Sequence, residues 1–312
     1  MIRVVFLHRP GHINSGGKIM RCDQLAALAR EHAGDGYSFE VLAPPRKRFA
    51  VRQRRFARNL DGAIVILLKN TLAAFTPQAV DVLRKSVRGL CIDHLDVPAT
   101  EATLTLADVH IAASYKGEKI LAARLAALSD NPRGTQAVHL AHHADPRLRA
   151  ADKAPTSFNI GYFGKLSNTI MPGSLQSGVI IPDYGKDVDF GSAIEAMQQC
   201  PMHYGVRGPV ARPGVESKMA KPFTKGFNAA AVGANVLVNR QVDDATDYLG
   251  EDYPFLIENT SEAAISDGIA KAREMFGGRE WVRGLDVMHD IRARTSPAAV
   301  VHQLKDILAL FG

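Results

Sequence analysis

Short apolar runs alternate with helical patterns along the whole chain. The runs are rich in Val, Ile and Leu, and they predict strands at residues 2–7, 37–42, 63–68, 89–92, 109–113, 158–163, 177–181, 202–206, 235–238 and 254–257. The intervening segments predict helices at residues 19–32, 76–87, 116–128, 190–199, 261–276, 280–294 and 298–311. Continuous apolar strands are typical of a parallel sheet covered by helices on both faces. The alternation therefore predicts an α/β fold of two doubly wound, Rossmann-like domains.

The length of the chain and one hinge-like segment indicate how these domains divide it. The chain has 312 residues, which is enough for two domains of ordinary size. Residues 150–156 are polar and include a proline, as in a hinge. We expect an N-terminal domain at 1–150, a C-terminal domain at 151–296, and a terminal helix at 297–312.

Composition places the chain among ordinary globular proteins. It is 46% hydrophobic and 22% charged. No run of about 18 uncharged apolar residues predicts a membrane span, and the first residues lack the apolar core of a secretory signal. Three widely spaced cysteines, Cys22, Cys91 and Cys200, favour reduced thiols in a cytoplasmic protein.

Positive charge is concentrated in the first half of the chain. Residues 1–150 hold 22 Lys and Arg against 13 Asp and Glu, a net charge of +9, whereas the remainder has a net charge of −3. Seven cations fall within 13 residues, with phenylalanines between them: Arg46, Lys47, Arg48, Arg52, Arg54, Arg55 and Arg58. A solvated helix accounts for this pattern. So does contact with an anionic membrane surface or an anionic acceptor, whereas nucleic acid is the weaker alternative because no nucleic-acid module is recognisable.

Titratable residues follow the predicted strand at 89–92. Asp93, His94 and Asp96 come at its carboxyl end, where open α/β sheets place reacting groups. A histidine between carboxylates suits acid–base chemistry, and a loop capped by aspartates is the structural alternative. His139, His142, His143 and Asp145 lie close together but lack a recognised metal-ligand spacing. We therefore expect no metal site.

Residues 221–238, KPFTKGFNAAAVGANVLV, predict a short helix, a glycine stop and a buried strand. Pro222 fits a first helical turn, and Gly233 fits a C-cap that needs positive φ. The alanines allow close approach of the backbone to a strand or a ligand. Lys221 and Lys225 add charge at the amino end of the helix, which favours a diphosphate.

The same stretch resembles the donor-binding segment of GT-B glycosyltransferases, especially the large retaining family 4. Lys225, Ala229, Ala231, Gly233 and Val236 match that pattern. The resemblance implies two Rossmann-like domains facing a cleft, with the terminal helix crossing back to the first domain. It also implies transfer of a sugar from a nucleotide-sugar to an unidentified acceptor, such as a glycan or a lipid-linked glycan, with no bound metal or other cofactor.

Further positions carry the resemblance into both domains. Gly16 and Gly17 match a glycine pair near the transferred sugar, and Gly164 with Lys165 match the glycine and cation that neutralise the donor phosphate. Arg207, which follows the predicted strand at 202–206, would suit bidentate contact with phosphate. If the reaction inverts configuration, His94 or Asp96 is the expected base. If it retains configuration, the leaving phosphate assists the attack and no dedicated base is expected.

Two departures from the family pattern leave other functions open. Asn228 stands where the family has a glutamate that holds the ribose, and Ala220 replaces an earlier glutamate. An inactive GT-B-like module that binds a nucleotide-sugar or acts as a scaffold is therefore the alternative to an enzyme. A sugar-nucleotide epimerase on the same fold is a third hypothesis.

Overall fold

The computed structural model describes residues 1–131, 133–150, 155–182, 191–208 and 219–312. Their contacts form two compact units. Of the described residues, the first unit holds 1–142, 219–222 and 297–312, and the second unit holds the remainder. The division thus falls after His142 rather than at residue 150. Part of the hinge predicted at 150–156 lies outside the described residues.

Strands and helices alternate through both units. The strands are β1 (Ile2–Leu7), β2 (Tyr37–Leu42), β3 (Ile64–Leu68), β4 (Gly89–Asp93), β5 (Val109–Ala112), β6 (Gln136–His139), β7 (Ile160–Gly161), β8 (Met202–Tyr204), β9 (Asn235–Asn239) and β10 (Leu256–Ile257). The helices are α1 (Gly16–Lys18), α2 (Leu25–His32), α3 (Ala50–Arg58), α4 (Pro77–Ser86), α5 (Glu101–Leu104), α6 (Tyr115–Ala126), α7 (Gly191–Gln199), α8 (Thr224–Val232), α9 (Ala245–Leu249), α10 (Glu262–Glu274), α11 (Arg279–Arg294) and α12 (Pro297–Ala309). Within the described ranges, no helix is both long enough and apolar enough to cross a bilayer.

The first unit is built on a six-stranded parallel sheet. Its strand order is β2-β1-β3-β4-β5-β6. The central strands β3 and β4 are buried along their whole length, as their continuous apolar sequences IVILL and GLCID predict. Helices cover both faces, which is the doubly wound arrangement expected from the sequence.

The terminal helix α12 packs on this first sheet. Val300, Leu304 and Leu308 are buried in the same core as Val4 and Phe6 of β1. The Gln303 side chain accepts a hydrogen bond of 2.9 Å from the backbone N–H of Ala141. The expected return of the terminal helix to the first domain is therefore confirmed.

The second unit contains a four-stranded parallel sheet. Its order is β10-β9-β8-β7, and α8 connects β8 to β9. Gly233 ends α8 with φ of 75°, the left-handed conformation that glycine adopts without a steric cost. The C-cap inferred from the sequence is confirmed.

Two local predictions were wrong. The strand expected at 177–181 is instead a 3₁₀ helix, Gly173–Gly178, followed by one isolated bridge from Ile180 to Gly161. Helix α8 begins at Thr224, so Pro222 precedes it and is not in its first turn. The helix expected at 19–32 is confirmed, with one irregularity. Its first part, Ile19–Gln24, is wound as a π-helix before α2 begins, and such irregularities are frequent at functional sites.

The packing of α12 leads to a stability prediction at Gly89. An ideal Cβ at Gly89 would overlap the ring of Phe311, so Gly89→Ala forces this ring to move. We expect Gly89→Ala to lower the free energy of unfolding by roughly 1–3 kcal/mol. In the Phe311→Ala background, Gly89→Ala should lower the free energy of unfolding much less. A double-mutant cycle by chemical denaturation measures this difference.

Gly36→Ala is the matched control, because nothing lies within 4 Å of its added Cβ. A Gly89→Ala cost that is the same with and without the Phe311 ring would contradict this packing.

Candidate functional site

Polar residues collect at the carboxyl ends of the second sheet. Tyr162, Gly164 and Lys165 follow β7, Arg207 follows β8, and Asn239 ends β9. These strands are neighbours and all run parallel, so their carboxyl ends share one edge of the sheet. This edge is where open α/β folds bind ligands.

Lys225 in the first turn of α8 contacts the segment that follows β7. Its Nζ lies 4.4 Å from the centroid of the Tyr162 ring and 3.5 Å from the backbone oxygen of Phe163. An ideal Cβ on Gly164 would lie only 2.8 Å from this Nζ. Glycine at position 164 therefore gives the ammonium group its space beside the backbone. The structure brings together Gly164 and Lys225, which the sequence only aligned with a pattern.

Lys165 is held through its backbone. The Tyr162 hydroxyl donates a hydrogen bond of 2.6 Å to the Lys165 carbonyl oxygen, while the Lys165 side chain is exposed. Tyr162 thus contacts both lysines, one through its ring and the other through its hydroxyl. Sequence reasoning missed this tyrosine, although its position near the end of the predicted strand at 158–163, two residues before Gly164, was a signal.

Arg207 is a mostly buried cation with remaining capacity for hydrogen bonds. Its backbone N–H donates to Asn239 Oδ1 at 3.0 Å, and its guanidinium lies 3.8 Å from Asp243 Oδ2. Burial lowers the pKa of Arg207. The negative charges of Asp243 and Asp244 raise this pKa and offset part of that effect. Its Nη2 is buried and has no hydrogen-bond partner among the described residues. A buried donor of this kind is costly unless something accepts from it.

Asn228 offers an acceptor on the same helix as Lys225. The two residues are three positions apart, so they lie on one face of α8. Asn228 Oδ1 is buried and lacks a hydrogen-bond partner within the described part of the chain. Lys221 precedes α8, in the segment that the contacts group with the first unit.

A second group of polar residues lies at the carboxyl ends of β3 and β4 in the first unit. Lys69 Nζ is 2.6 Å from Asp96 Oδ1. Lys69 and Leu95 have φ of 51° and 53°, a strained conformation for side chains of this size. An ideal Cβ on Gly17 would lie 3.2 Å from Leu95 and 3.3 Å from Lys69, so this glycine allows both to approach α1.

Of the predicted glycine pair, Gly16 and Gly17, only Gly17 lies where a side chain would be crowded. A Cβ at Gly17 would crowd Leu95 and Lys69, whereas a Cβ at Gly16 would meet nothing within 4 Å. Lys69 was missed by sequence reasoning. It directly follows a predicted strand, which is the position that singled out Asp93 and His94 after the next strand.

His94 is buried and paired with another histidine. Its Nε2 lies 2.8 Å from His110 Nδ1, and His110 Nε2 lies 3.1 Å from the carbonyl oxygen of Leu104. If His110 donates to Leu104, its Nδ1 is an acceptor and His94 Nε2–H is the donor. Burial, together with His110 and Arg124, lowers the pKa of His94 to about 3. His94 is therefore neutral at physiological pH, and its Nε2 is already engaged.

Asp93 has a structural role beside this pair. Arg21 Nε donates to Asp93 Oδ2 at 2.7 Å, and Arg21 Nη1 donates to the Ala141 carbonyl at 2.9 Å. The other Asp93 oxygen accepts from the Leu95 N–H at 3.1 Å. A buried and paired carboxylate that orients its loop is not available as a base.

The histidines near residue 140 do not assemble a metal site. Among the described residues, no group of three or more His, Cys, Asp or Glu side chains is arranged to hold a metal ion. His139 instead stacks on Tyr115 with ring centroids 4.2 Å apart. Burial followed by the charge of Arg21 lowers the pKa of His139 to about 4.

Comparison with known proteins gives structural matches alone. No protein-family model and no curated protein matches the sequence. Sucrose-phosphate synthase from Thermosynechococcus elongatus is similar with a TM-score of 0.64 and 11% identity, over 99% of both chains. HepE of Anabaena, solved in complex with UDP, is similar with a TM-score of 0.60 and 12% identity, over 99% of this chain and 100% of that one.

A third match, in a GtfA/B complex, has a TM-score of 0.57 and 11% identity. It covers 84% of this chain, which spans 60% of the length of that protein. The chain has the GT-B fold. At these identities the likeness establishes the fold, with its two parallel sheets and alternating helices, and nothing about the reaction.

The buried histidine pair predicts a specific dependence of stability on pH. His94 has a pKa of about 3 in the folded chain against an ordinary value of 6.5, so the unfolded chain takes up the proton first as the pH falls. Its contribution to stability is complete above about pH 6.5 and declines towards pH 3, by ~1.4 kcal/mol per pH unit. We expect His94→Gln to reduce the loss of unfolding free energy between pH 7.5 and 5 by ~2 kcal/mol.

Denaturation followed by circular dichroism at the two pH values measures this difference. An equal loss in the wild-type chain and in His94→Gln would mean that His94 is not held neutral. His302→Gln is the control, because that histidine is exposed.

Proposed function

We propose that this chain is a glycosyltransferase that moves a sugar from a nucleotide-sugar donor to a hydroxyl-bearing acceptor. The observation that carries the proposal is the placement of Lys225 against Gly164 and Tyr162 at the carboxyl edge of the second sheet. The GT-B fold supports it, since HepE, which shares this fold, was solved with UDP. The retaining family 4 is the family that the donor segment resembles most.

The second unit would bind the donor diphosphate. Lys225, Lys165 and Arg207 supply positive charge at one sheet edge. Arg207 Nη2 is a buried donor that lies 3.8 Å from Asp243 Oδ2 and has no acceptor within hydrogen-bond distance among the described residues. During transfer, the bond from the sugar C1 to the diphosphate oxygen breaks and a bond from C1 to the acceptor oxygen forms. The negative charge that grows on the leaving diphosphate is what these cations would stabilise.

Asn228 would take part in donor binding as a neutral acceptor. Its buried Oδ1 can accept a hydrogen bond from a ribose hydroxyl, which is the role of the family glutamate at this position. An amide retains the acceptor of the carboxylate and lacks its charge. The replacement is therefore compatible with a bound nucleotide, in an enzyme and in an inactive binding module alike.

The acceptor proton has two routes. In a retaining transfer, the leaving phosphate takes it. In an inverting transfer, Asp96 is a better base than His94, because His94 Nε2 is engaged with His110 and Asp96 is about one-third exposed. Lys69 would hold the Asp96 carboxylate in place. We place the acceptor, a glycan or a lipid-linked glycan, on the basic first unit.

We also propose that transfer needs no divalent metal, because three cationic side chains of the second unit can balance the diphosphate charge. Turnover that persists in a chelator supports this proposal. Turnover that stops in the chelator and returns with Mg²⁺ or Mn²⁺ contradicts it.

Removal of the Lys225 ammonium tests the donor site directly. A charge-assisted hydrogen bond contributes ~1.5–3 kcal/mol, so Lys225→Ala should weaken UDP or GDP binding roughly 10- to 150-fold in calorimetric titrations. Lys165→Ala should act in the same direction, and Lys225→Arg should retain part of the affinity. Release of the nucleotide from its sugar conjugate should fall in parallel.

Lys271→Ala is the matched control, because Lys271 is an exposed lysine of α10. Full donor turnover in both the Lys225→Ala and Lys165→Ala variants would remove the proposal. Tight binding with no turnover over a panel of acceptors would favour the inactive module, and a changed sugar formed without acceptor would favour an epimerase.

The close contact at Gly164 gives an independent test. The methyl group of Gly164→Ala would lie 2.8 Å from Lys225 Nζ, which is the flexible end of its side chain. We expect the fold to remain and the affinity for the nucleotide to fall about as far as in Lys225→Ala. Combined with Lys225→Ala, the glycine substitution should cause little additional loss.

Gly173→Ala, which meets nothing within 4 Å, controls for a general effect of alanine. Additive losses in the double variant would show that Gly164 does not act through Lys225.

A further inference from the structure

The cations of the segment around α3 form one exposed surface, here called the basic face. All seven are exposed: Arg46, Lys47, Arg48, Arg52, Arg54, Arg55 and Arg58. None of the ion pairs among the described residues involves any of them. Like charges at this density repel one another, so the face is suited to an anionic partner.

The basic face is held in place by neutral residues. The side chain of Gln53, on the inward side of α3, is fully buried. Its Nε2 donates to the carbonyl oxygens of Pro45 and Ala74, both at 2.7 Å, and its Oε1 accepts from the Thr76 N–H at 2.8 Å. The outward orientation of the arginines is therefore present without any partner.

Apolar side chains are exposed among the cations. Val51 is 71% exposed and Phe49 is 38% exposed. The guanidinium groups of Arg48 and Arg52 lie 4.8 and 5.0 Å from the centroid of the Phe49 ring. Val51, Arg55 and Arg58 recur at helical spacing, so the apolar residue shares its stripe with two arginines.

We propose that the basic face docks on the surface of an anionic phospholipid bilayer. Arginines would contact the lipid phosphates, and Phe49 and Val51 would enter the boundary between headgroups and acyl chains. The exposed apolar pair favours a bilayer over a nucleic-acid backbone, since phosphates and sugars alone offer nothing apolar to bury it. Docking of this kind is separate from the proposed transfer reaction and does not depend on it.

The expected strength follows from the number of cations. Each cation near an anionic surface strengthens binding about fivefold, and salt screens this contribution. Loss of three cations should therefore weaken binding roughly a hundredfold. Loss of the apolar pair should leave binding at low salt that disappears at high salt.

The experiment is co-sedimentation of the full chain with vesicles. Phosphatidylcholine vesicles are compared with vesicles that also contain phosphatidylglycerol, at low and high salt. We expect pelleting with the anionic vesicles alone, roughly a hundredfold weaker for the combined Arg52→Gln, Arg55→Gln and Arg58→Gln variant. The combined Phe49→Ser and Val51→Ser variant should lose pelleting first as salt is raised.

The matched control removes three exposed cations from the second unit, Lys271→Gln, Arg279→Gln and Arg292→Gln, for the same change in net charge. Circular dichroism checks that each variant is folded. The proposal is overturned if the two triple variants pellet alike, or if neutral and anionic vesicles bind equally. It is also overturned if duplex DNA or RNA binds the basic face more tightly than anionic vesicles at the same salt.

Discussion

The proposed donor site of the second unit depends on the close approach of the Lys225 ammonium group to the end of β7. Lys225 Nζ lies over the Tyr162 ring and beside Gly164, where any larger residue would fill its space. The same tyrosine fixes the Lys165 backbone through its hydroxyl. Residues 162–165 thus form one contact region with Lys225 in the first turn of α8. A cation positioned at a strand end is the kind of group that can make charge-assisted hydrogen bonds to a diphosphate.

In the first unit, the buried ion pair of Arg21 and Asp93 fixes the loop that follows β4. Arg21 joins the π-helical turn after α1 to Asp93 at the end of β4 and to the carbonyl of Ala141 after β6. Asp93 also accepts a hydrogen bond from the backbone N–H of Leu95. Leu95 has a positive φ, and the next residue, Asp96, pairs with Lys69. Breaking a buried pair leaves an uncompensated charge, so the loop after β4 is fixed in a strained form. Strain at such a position is typical of sites where a loop presents a polar group.

The sequence predicted the architecture well because buried parallel strands leave a simple signal. Apolar runs such as IVILL located the strands, and Gly233 marked the end of α8. The strand expected at 177–181 failed because its apolar residues follow a glycine- and serine-rich turn, and a single residue pairs. The site residues remain predictions. Their contacts, such as Lys69 with Asp96 or His94 with His110, join positions 27 and 16 apart, and tertiary packing alone decides which side chains meet.

Helix α3 is positioned by a neutral side chain, Gln53, whereas its arginines determine the charge of the surface. Gln53 satisfies three backbone groups without an ion pair, so the orientation of the helix does not depend on the arginines that it displays. Substitutions among those arginines alter the electric field of the first unit while its core stays the same. A change in the charge of this surface therefore alters its attraction to an anionic partner while the Gln53 anchor stays in place.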